Sequence, residues 1–324
     1  MYSFESSRAL INKTISNLRF NYEPEELYEP IHYILSLGGK RLRPSLVIMA
    51  CNLFSDNVED AIYPAIGIEV FHNFTLLHDD IMDKAPVRRN NPTVHTKWNE
   101  NIAILSGDVM SILAYEYLCK CPPAVLSDII RIFTQTALHV CEGQQFDMNF
   151  EKIQNISMDE YLKMIELKTS VLIASCLKIG SIIGRATSKD ADLMYDFGKN
   201  LGLAFQLQDD ILDVYGDPKI FGKKTGGDIV ANKKTFLLIK AFELADGVLL
   251  RNLQQQCDER HYNAKEKIKA VKDIYNKLGV KDQADDMVRS FYQKAFQSFN
   301  NVSVESSKKT ELENLAEGLI KREN

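Results

Sequence analysis

Two stretches of this chain, residues 124–217 and 219–324, contain no proline, all nine prolines falling at positions 24, 30, 44, 64, 86, 92, 122, 123 and 218. Proline inside a helix removes a hydrogen bond and clashes with the turn before it, so text without it leaves long helices open. Glycine is also sparse, 16 in 324 residues, which supplies little turn chemistry for a many-stranded sheet. Apolar residues recur at helical spacing, as in Leu162, Ile165, Leu172, Ile173 and Leu177 or in Ile268, Val271, Ile274, Tyr275 and Leu278, and nothing alternates like a strand for long. The pattern predicts an all-α chain of about ten or more helices. Breaks are expected near 20–24, 38–43, 55–58, 84–92, 121–123, 150–157, 185–189, 214–232 and 297–309. No linker divides the chain, so residues 1–324 are expected to form one large helical domain.

A net charge of −5 gives no support for nucleic-acid binding. The amino terminus lacks a basic region followed by an apolar core, and no run of about 18 apolar residues is present to span a bilayer. A cytoplasmic protein without a transmembrane segment is expected. Cys51, Cys119, Cys121, Cys141, Cys176 and Cys257 are scattered through apolar helical text, without zinc-ligand spacing, and read as small core residues.

The chemistry is concentrated in two copies of one acidic pentapeptide, Asp79-Asp80-Ile81-Met82-Asp83 and Asp209-Asp210-Ile211-Leu212-Asp213. Each follows a strongly apolar run, Phe71 to Leu77 and Leu201 to Leu207, so each reads as the last turn of a buried helix that opens into a cavity. The first and fifth residues of such a segment lie only ~40° apart around the helix, which turns Asp79 and Asp83, and likewise Asp209 and Asp213, the same way. Carboxylates crowded within one turn repel, a cost that a hard divalent cation removes; Mg2+ suits because it binds through one or two carboxylates plus substrate phosphates.

Basic groups are concentrated where they could meet anions. In Gly38-Gly39-Lys40-Arg41-Leu42-Arg43-Pro44 the paired glycines let backbone N–H groups approach a ligand, and Lys40 and Arg43 can grip an oxyanion. Arg88-Arg89 follows Asp83 across a proline-bearing loop, and a guanidinium fork binds phosphate oxygens in bidentate fashion. Lys168, Lys223, Lys224, Lys233 and Lys234 surround the second acidic motif in sequence. Acid clusters plus basic loops describe a site for polyphosphates bridged by magnesium. No Gly-x-x-x-x-Gly-Lys-Ser/Thr loop, Rossmann turn, nucleophile elbow or His-Glu-x-x-His helix occurs. With Phe71, Phe74, Leu76 and Leu77 before one motif and Leu203, Phe205 and Leu207 before the other, the implied ligand has a diphosphate head and an apolar tail.

These residues, together with Leu76-Leu77-His78, Glu166-Leu167-Lys168-Thr169, Phe205-Gln206-Leu207-Gln208, Gly222-Lys223 and Asn232-Lys233-Lys234-Thr235, give a chain that resembles the trans-isoprenyl diphosphate synthases, or polyprenyl synthetases, over nearly its whole length. The resemblance implies an all-helical fold around a central cavity, a homodimer, and three Mg2+ ions shared between the aspartate motifs and a diphosphate. It assigns two of the metals to Asp79 and Asp83 and the third to Asp209 with Asp213 in support, Asp80 and Asp210 assisting. It gives Gly39, Lys40, Arg43, His72 and Arg89 to isopentenyl diphosphate, and Arg88, Lys168, Thr169, Gln206, Lys223 and Lys233 to the allylic diphosphate. No role is assigned to the carboxyl end, Ile320 to Asn324.

The reaction implied ionises an allylic diphosphate, with Arg88 and the lysines steadying the departing group. The Thr169 hydroxyl, the Gln206 amide and backbone carbonyls near Lys168 supply fixed dipoles for the allylic cation. The double bond of isopentenyl diphosphate then attacks, and a proton leaves to the departing pyrophosphate. Phe74, five residues before Asp79 with the small Thr75 between, reads as part of the cavity floor; Phe71 and the segment around Met110 and Leu113 are alternative floors. An all-trans product of fifteen or twenty carbons is expected, farnesyl ahead of geranylgeranyl. Competing readings are a longer-chain polyprenyl synthase, a terpene cyclase, whose second metal site would not repeat the aspartates, and a non-catalytic partner subunit.

Overall fold

The protein, seen in a computed structural model, is described at residues 1–20, 22–153, 155–217, 225–258 and 263–320. Lys223, with Gly222 and Lys224, lies outside the described residues, as does the chain end beyond Ile320. The all-α expectation is borne out: among the described residues the one sheet is a small antiparallel hairpin pairing Val87–Arg88 with Asn91–Pro92. The chain forms two compact units, one of Met1–Gln135, Ser175–Tyr195 and Val302–Leu315, the other of Thr136–Ala174, Asp196–Asn301 and the residues from Ala316 on.

In the first unit, α1 (Phe4–Asn17) starts on Ser3, whose hydroxyl accepts from Ser6 N. It is followed by α2 (Glu25–Ser36), α3 (Leu42–Phe54), α4 (Glu59–Met82), the short α5 (Val94–Lys97) and α6 (Glu100–Leu118). Every residue of α3 from Pro44 to Leu53 is buried, as expected of a helix that is apolar on all sides. It packs on α4, which also lies along α6. Glu59 and Asp60 in the first turn of α4 complement the helix dipole. The close approach of α6 is made at Gly107: a Cβ there would fall 2.2 Å from His78 Nε2. His78 instead fills that gap and donates to Ile104 O at 3.2 Å, which fixes the end of α4 immediately before Asp79.

The second unit is built from α8 (Met158–Ile165), parts of α7 (Leu126–Phe150), α9 (Val171–Ile183) and α10 (Ser188–Tyr215), and a series of helices that includes Val280–Asn300. A capping box, with Ser157 and Glu160 each bonding the other's backbone, starts α8. The core gathers Tyr161, Met164, Leu203, Leu207, Ile211, Phe236, Leu237, Val271, Tyr275 and Phe291. Between α8 and α9 a single π-helical turn, Glu166–Ser170, interrupts the α spacing; such turns insert a residue and redirect side chains, frequently at functional sites. The helical spacing of the sequence ran across it unbroken.

Most expected breaks fall between observed helices, but α10 runs on to Tyr215, a short helix Gly227–Val230 forms inside 214–232, and the break near 297–309 narrows to the residues between Asn300 and Ser306. Gly279, at φ 64°, adds a break that the spacing did not announce, closing Ala264–Leu278 and opening Val280–Asn300. One expectation about the core needs correcting. Cys51, Cys121 and Cys176 are buried, but Cys119 and Cys141 are exposed and Cys257 is half-buried, because their helix positions face outward. Burial pushes the Cys51 and Cys176 thiols up to about 12.

Candidate active site

The first acidic motif closes α4, with Asp83 as its C-cap, donating its N–H to Asp79 O at 2.8 Å. Its three carboxylates are not equivalent. Asp80 is 2% exposed, and both its oxygens accept from Arg88 Nε at 2.9 and 2.8 Å, with Arg88 Nη2 2.7 Å away. Asp79 is half-buried and Asp83 exposed. Asp80, expected to assist the metals, here holds the Arg88 guanidinium in its fork.

The basic loop lies in the same unit. Gly38 and Gly39 have φ of 73° and 137°, and Arg41 sits in the left-handed region at 51°. The φ of Gly39 is one that L side chains rarely adopt, and a Cβ there would fall 3.0 Å from Arg89 Cζ; the Arg89 guanidinium lies against it and donates to Gly38 O. Arg43 Nη1 lies 3.2 Å from His72 Nε2. Burial, then the charges of Arg43, Arg89, Arg88 and Arg41, hold His72 well below the usual histidine range. It is therefore neutral near pH 7, and since a guanidinium can only donate, Nε2 is the acceptor. Of the residues expected for isopentenyl diphosphate, Gly39, Arg43, His72 and Arg89 thus share one neighbourhood with exposed Lys40 at its edge. Arg88, expected with the allylic group, is tied through Asp80 to this unit.

In the second unit, Asp210 repeats the pattern of Asp80. It is 5% exposed; Tyr161 donates its hydroxyl to Oδ2 at 2.5 Å, Phe236 N donates at 3.3 Å, and Gln206 Nε2 donates to Oδ1 at 3.2 Å. Burial pushes the Asp210 carboxyl up to about 7, against the Tyr161 hydrogen bond that pulls it down. Asp210, like Asp80, is the middle aspartate expected to assist the metals, and here it meets protein donors. Asp209 and Asp213 are half-buried, and Asp213 also accepts from Asp228 N at 3.0 Å. Thr169 donates to Gln206 Oε1 at 3.3 Å, joining the π turn to the motif, and Lys168 pairs with Asp147 of α7. Lys233 is exposed, its N–H bonded to Asp228 O at 2.9 Å.

Several residues of this architecture were missed in the sequence: Tyr161, Asp147 and Gly143 in the second unit, Glu69 and Asn73 in the first. Their partners lie 21 to 49 positions away for Asp147 and Tyr161, and no spacing rule connects them. Gly143 carries the π turn: a Cβ there would fall 2.3 Å from Lys168 N and 2.7 Å from Leu167 C. Backbone cannot yield as a side-chain tip can. Gly143→Ala is therefore expected to destabilise the protein by about 1–3 kcal/mol and to lower turnover by displacing Lys168 and Thr169. Urea midpoints and steady-state rates check this; a variant with both unchanged would show that the π turn does not depend on α7.

Among the described residues no group of three or more His, Cys, Asp or Glu side chains forms a ready-made metal cage. The half-buried or exposed carboxylates of Asp79, Asp83, Asp209 and Asp213 are oxygen donors of the kind that Mg2+ takes, one or two at a time, with substrate phosphates. Among the described residues no helix is long and apolar enough to cross a membrane.

The family model for polyprenyl synthetase matches residues 24–278. The geranylgeranyl diphosphate synthase of Sulfolobus acidocaldarius is 39% identical over 289 residues, 87% of this chain and 86% of that protein. The geranylfarnesyl diphosphate synthase of Natronomonas pharaonis is 34% identical over 252 residues, 72% of this chain and 74% of that one. A geranylgeranyl pyrophosphate synthase of known crystal structure superposes with a TM-score of 0.95 at 42% identity, covering 100% of both chains. With the twin aspartate motifs, the Gly-Gly-Lys-Arg loop and the Lys-Thr turn all in place on an all-α fold, the chain belongs to the polyprenyl synthetase family and is a prenyltransferase of the trans-isoprenyl diphosphate synthase type.

Proposed function

We propose that the protein condenses isopentenyl diphosphate head-to-tail with dimethylallyl, geranyl and farnesyl diphosphates, and releases an all-trans product of twenty carbons. The observation that carries this is the division of labour within both motifs: Asp80 and Asp210 are held by protein donors, while Asp79, Asp83, Asp209 and Asp213 are more exposed than they. The relatives' names, geranylgeranyl and geranylfarnesyl, favour twenty carbons over the fifteen that the sequence put first.

In this function Asp79 and Asp83, with Asp209 supported by Asp213, would hold three Mg2+ ions per site, shared between the two motifs and a diphosphate. Magnesium, when bound, neutralises the charge that builds on a departing diphosphate. Arg88 arrives already ordered, since Asp80 fixes its fork; Arg88, Lys168 and Lys233 are the cations this reading gives to the departing diphosphate, with Lys223, outside the described residues, kept as the resemblance implies. Thr169 and Gln206 are oriented by their mutual hydrogen bond and by Asp210, so their dipoles are set before the cation forms. Gly39, Lys40, Arg43, His72 and Arg89 bind isopentenyl diphosphate, and neutral His72, accepting from Arg43, orients that arginine without opposing its charge. The pyrophosphate takes the proton.

One domain is proposed for the whole chain, because the polyprenyl synthetase match runs across both units. A homodimer is proposed as well, supported by exposed Ile104, Leu105 and Ile112 on α6; light scattering at the single-chain mass would refute it. A cytoplasmic setting accords with the family. The activity is tested by incubating the purified chain with Mg2+, labelled isopentenyl diphosphate and each allylic primer, then separating the products. Geranylgeranyl diphosphate is the expected product, and no elongation of any primer would overturn the proposal.

A further inference from the structure

The structure assigns to Glu69 and Asn73 of α4 a positioning role for the isopentenyl diphosphate site, exerted through Arg41 and Arg89; this rests on the site proposed above. Glu69 is 2% exposed. Its Oε1 accepts from Arg41 Nη1 at 2.5 Å and from Asn73 Nδ2 at 3.0 Å. Arg41 is buried as well, and its remaining nitrogens reach two other helices: Nε donates to Asn12 Oδ1 at 3.2 Å and Nη2 to Leu35 O at 2.6 Å. One side chain thus ties α1, α2 and α4 to a residue whose own backbone is left-handed, φ 51°. That residue stands between Lys40 and Arg43, so the clamp sets where both begin.

The second arm runs through Asn73. Its amide also donates to Glu69 O at 2.8 Å, which orients the side chain, and its Oδ1 lies 3.5 Å from Arg89 Nη1. The same Arg89 nitrogen donates to Gly38 O, and the guanidinium lies against Gly39. Glu69 and Asn73 therefore reach the glycine loop from both sides, one through Arg41 at its end and one through Arg89 over its start. The charges divide accordingly: Glu69 neutralises Arg41 and Asp80 neutralises Arg88. Arg41 lies in the midst of the phosphate-binding loop as a structural cation. An isolated buried pair would be weak evidence for anything but local order; what gives this one a role is its connection to the loop at two points.

The experiment compares full-length Glu69→Gln, Asn73→Ala, Asn73→Asp and Arg43→Ala with wild type, varying each diphosphate at saturating levels of the other and recording thermal midpoints. Losing a hydrogen bond to a charged partner should raise the KM for isopentenyl diphosphate about tenfold in Glu69→Gln and Asn73→Ala, with the allylic KM unchanged. Asn73→Asp keeps an oxygen that faces Arg89 but sets a second carboxylate against Glu69, so it should share that loss. A merely structural role would lower the midpoint and leave both KM values where they were, or raise them together, and either result overturns the inference. If Arg43→Ala raises the isopentenyl KM while Glu69→Gln and Asn73→Ala do not, the site stands and the positioning role falls. If none of them moves it, both fall. Should Glu69→Gln fail to fold, Asn73→Ala decides, because it leaves the Arg41–Glu69 pair intact.

Discussion

Asp79→Ala and Asp209→Ala are expected to lose turnover at least about a thousandfold, since each removes a donor worth several kcal/mol of charge stabilisation in the transition state, yet to keep wild-type stability. Asp79 and Asp209 are half-buried residues, more exposed than the middle aspartates beside them. Asp80→Ala and Asp210→Ala should fail in another way. They strand Arg88, or Tyr161 and Phe236 N, and leaving such donors unsatisfied costs about 1–3 kcal/mol. Thermal unfolding, with and without Mg2+ and inorganic pyrophosphate, separates the two classes without relying on activity. The ligands should raise the midpoint of wild type, but not that of folded Asp79→Ala. A stable Asp79→Ala enzyme with near-normal turnover would refute its metal role; equal destabilisation by all four substitutions would refute the division between outer and middle aspartates.

That division also marks how far the sequence was legible. Helical class, most breaks and both motifs follow from proline placement, apolar spacing and local composition, all of which act over a few residues. So does the prediction that the first and fifth aspartates share a face. What the middle aspartate does depends on a partner supplied by the fold: Arg88 is eight positions from Asp80 and could be guessed, whereas Tyr161 is 49 from Asp210 and could not. Tyr161 reads in sequence as one more aromatic on an apolar face, which it also is; only its hydroxyl serves the site.

The π turn is the clearest case of a feature hidden from spacing. Leu162, Ile165, Leu172 and Ile173 keep a helical rhythm through it, because a single widened turn shifts the phase by less than the width of an apolar stripe. Glu69 and Asn73 were hidden differently. An acid and an amide in the middle of an apolar helix, at 2% and 0% exposure, break the burial pattern, and buried polar groups require partners. The signal was present, but nothing in sequence points from α4 to a glycine loop some thirty positions earlier.

Product length offers the second large effect. Phe74 lies five residues before Asp79, hence about 7.5 Å up the helix axis at 1.5 Å of rise per residue, in the direction a tail must grow from a head anchored at the aspartates. Its ring is half-buried, with centroids 5.5 Å from Phe71 and 4.8 Å from His78. His78 is itself fixed to Ile104 O, so Phe74 is backed by an immobile neighbour and can act as a stop. Phe71 is placed otherwise: it is 3% exposed and stacks edge-on against Phe133, which meets Tyr115 in turn. Phe71→Ala should therefore cost about 3–5 kcal/mol of stability, as expected of a core ring, and Met110, fully buried, belongs to the same class. Thr75 has its hydroxyl bonded back to His72 O at 2.9 Å and is small, leaving room one position nearer the head. Phe74→Ala is expected to move the main product from twenty carbons to longer chains at nearly unchanged stability, and Thr75→Phe to shorten it. Chromatography of products from saturating isopentenyl diphosphate reads both. A wild-type enzyme making mainly thirty carbons or more, or a Phe74→Ala distribution identical to wild type, would make Phe74 an ordinary packing ring and move the floor elsewhere.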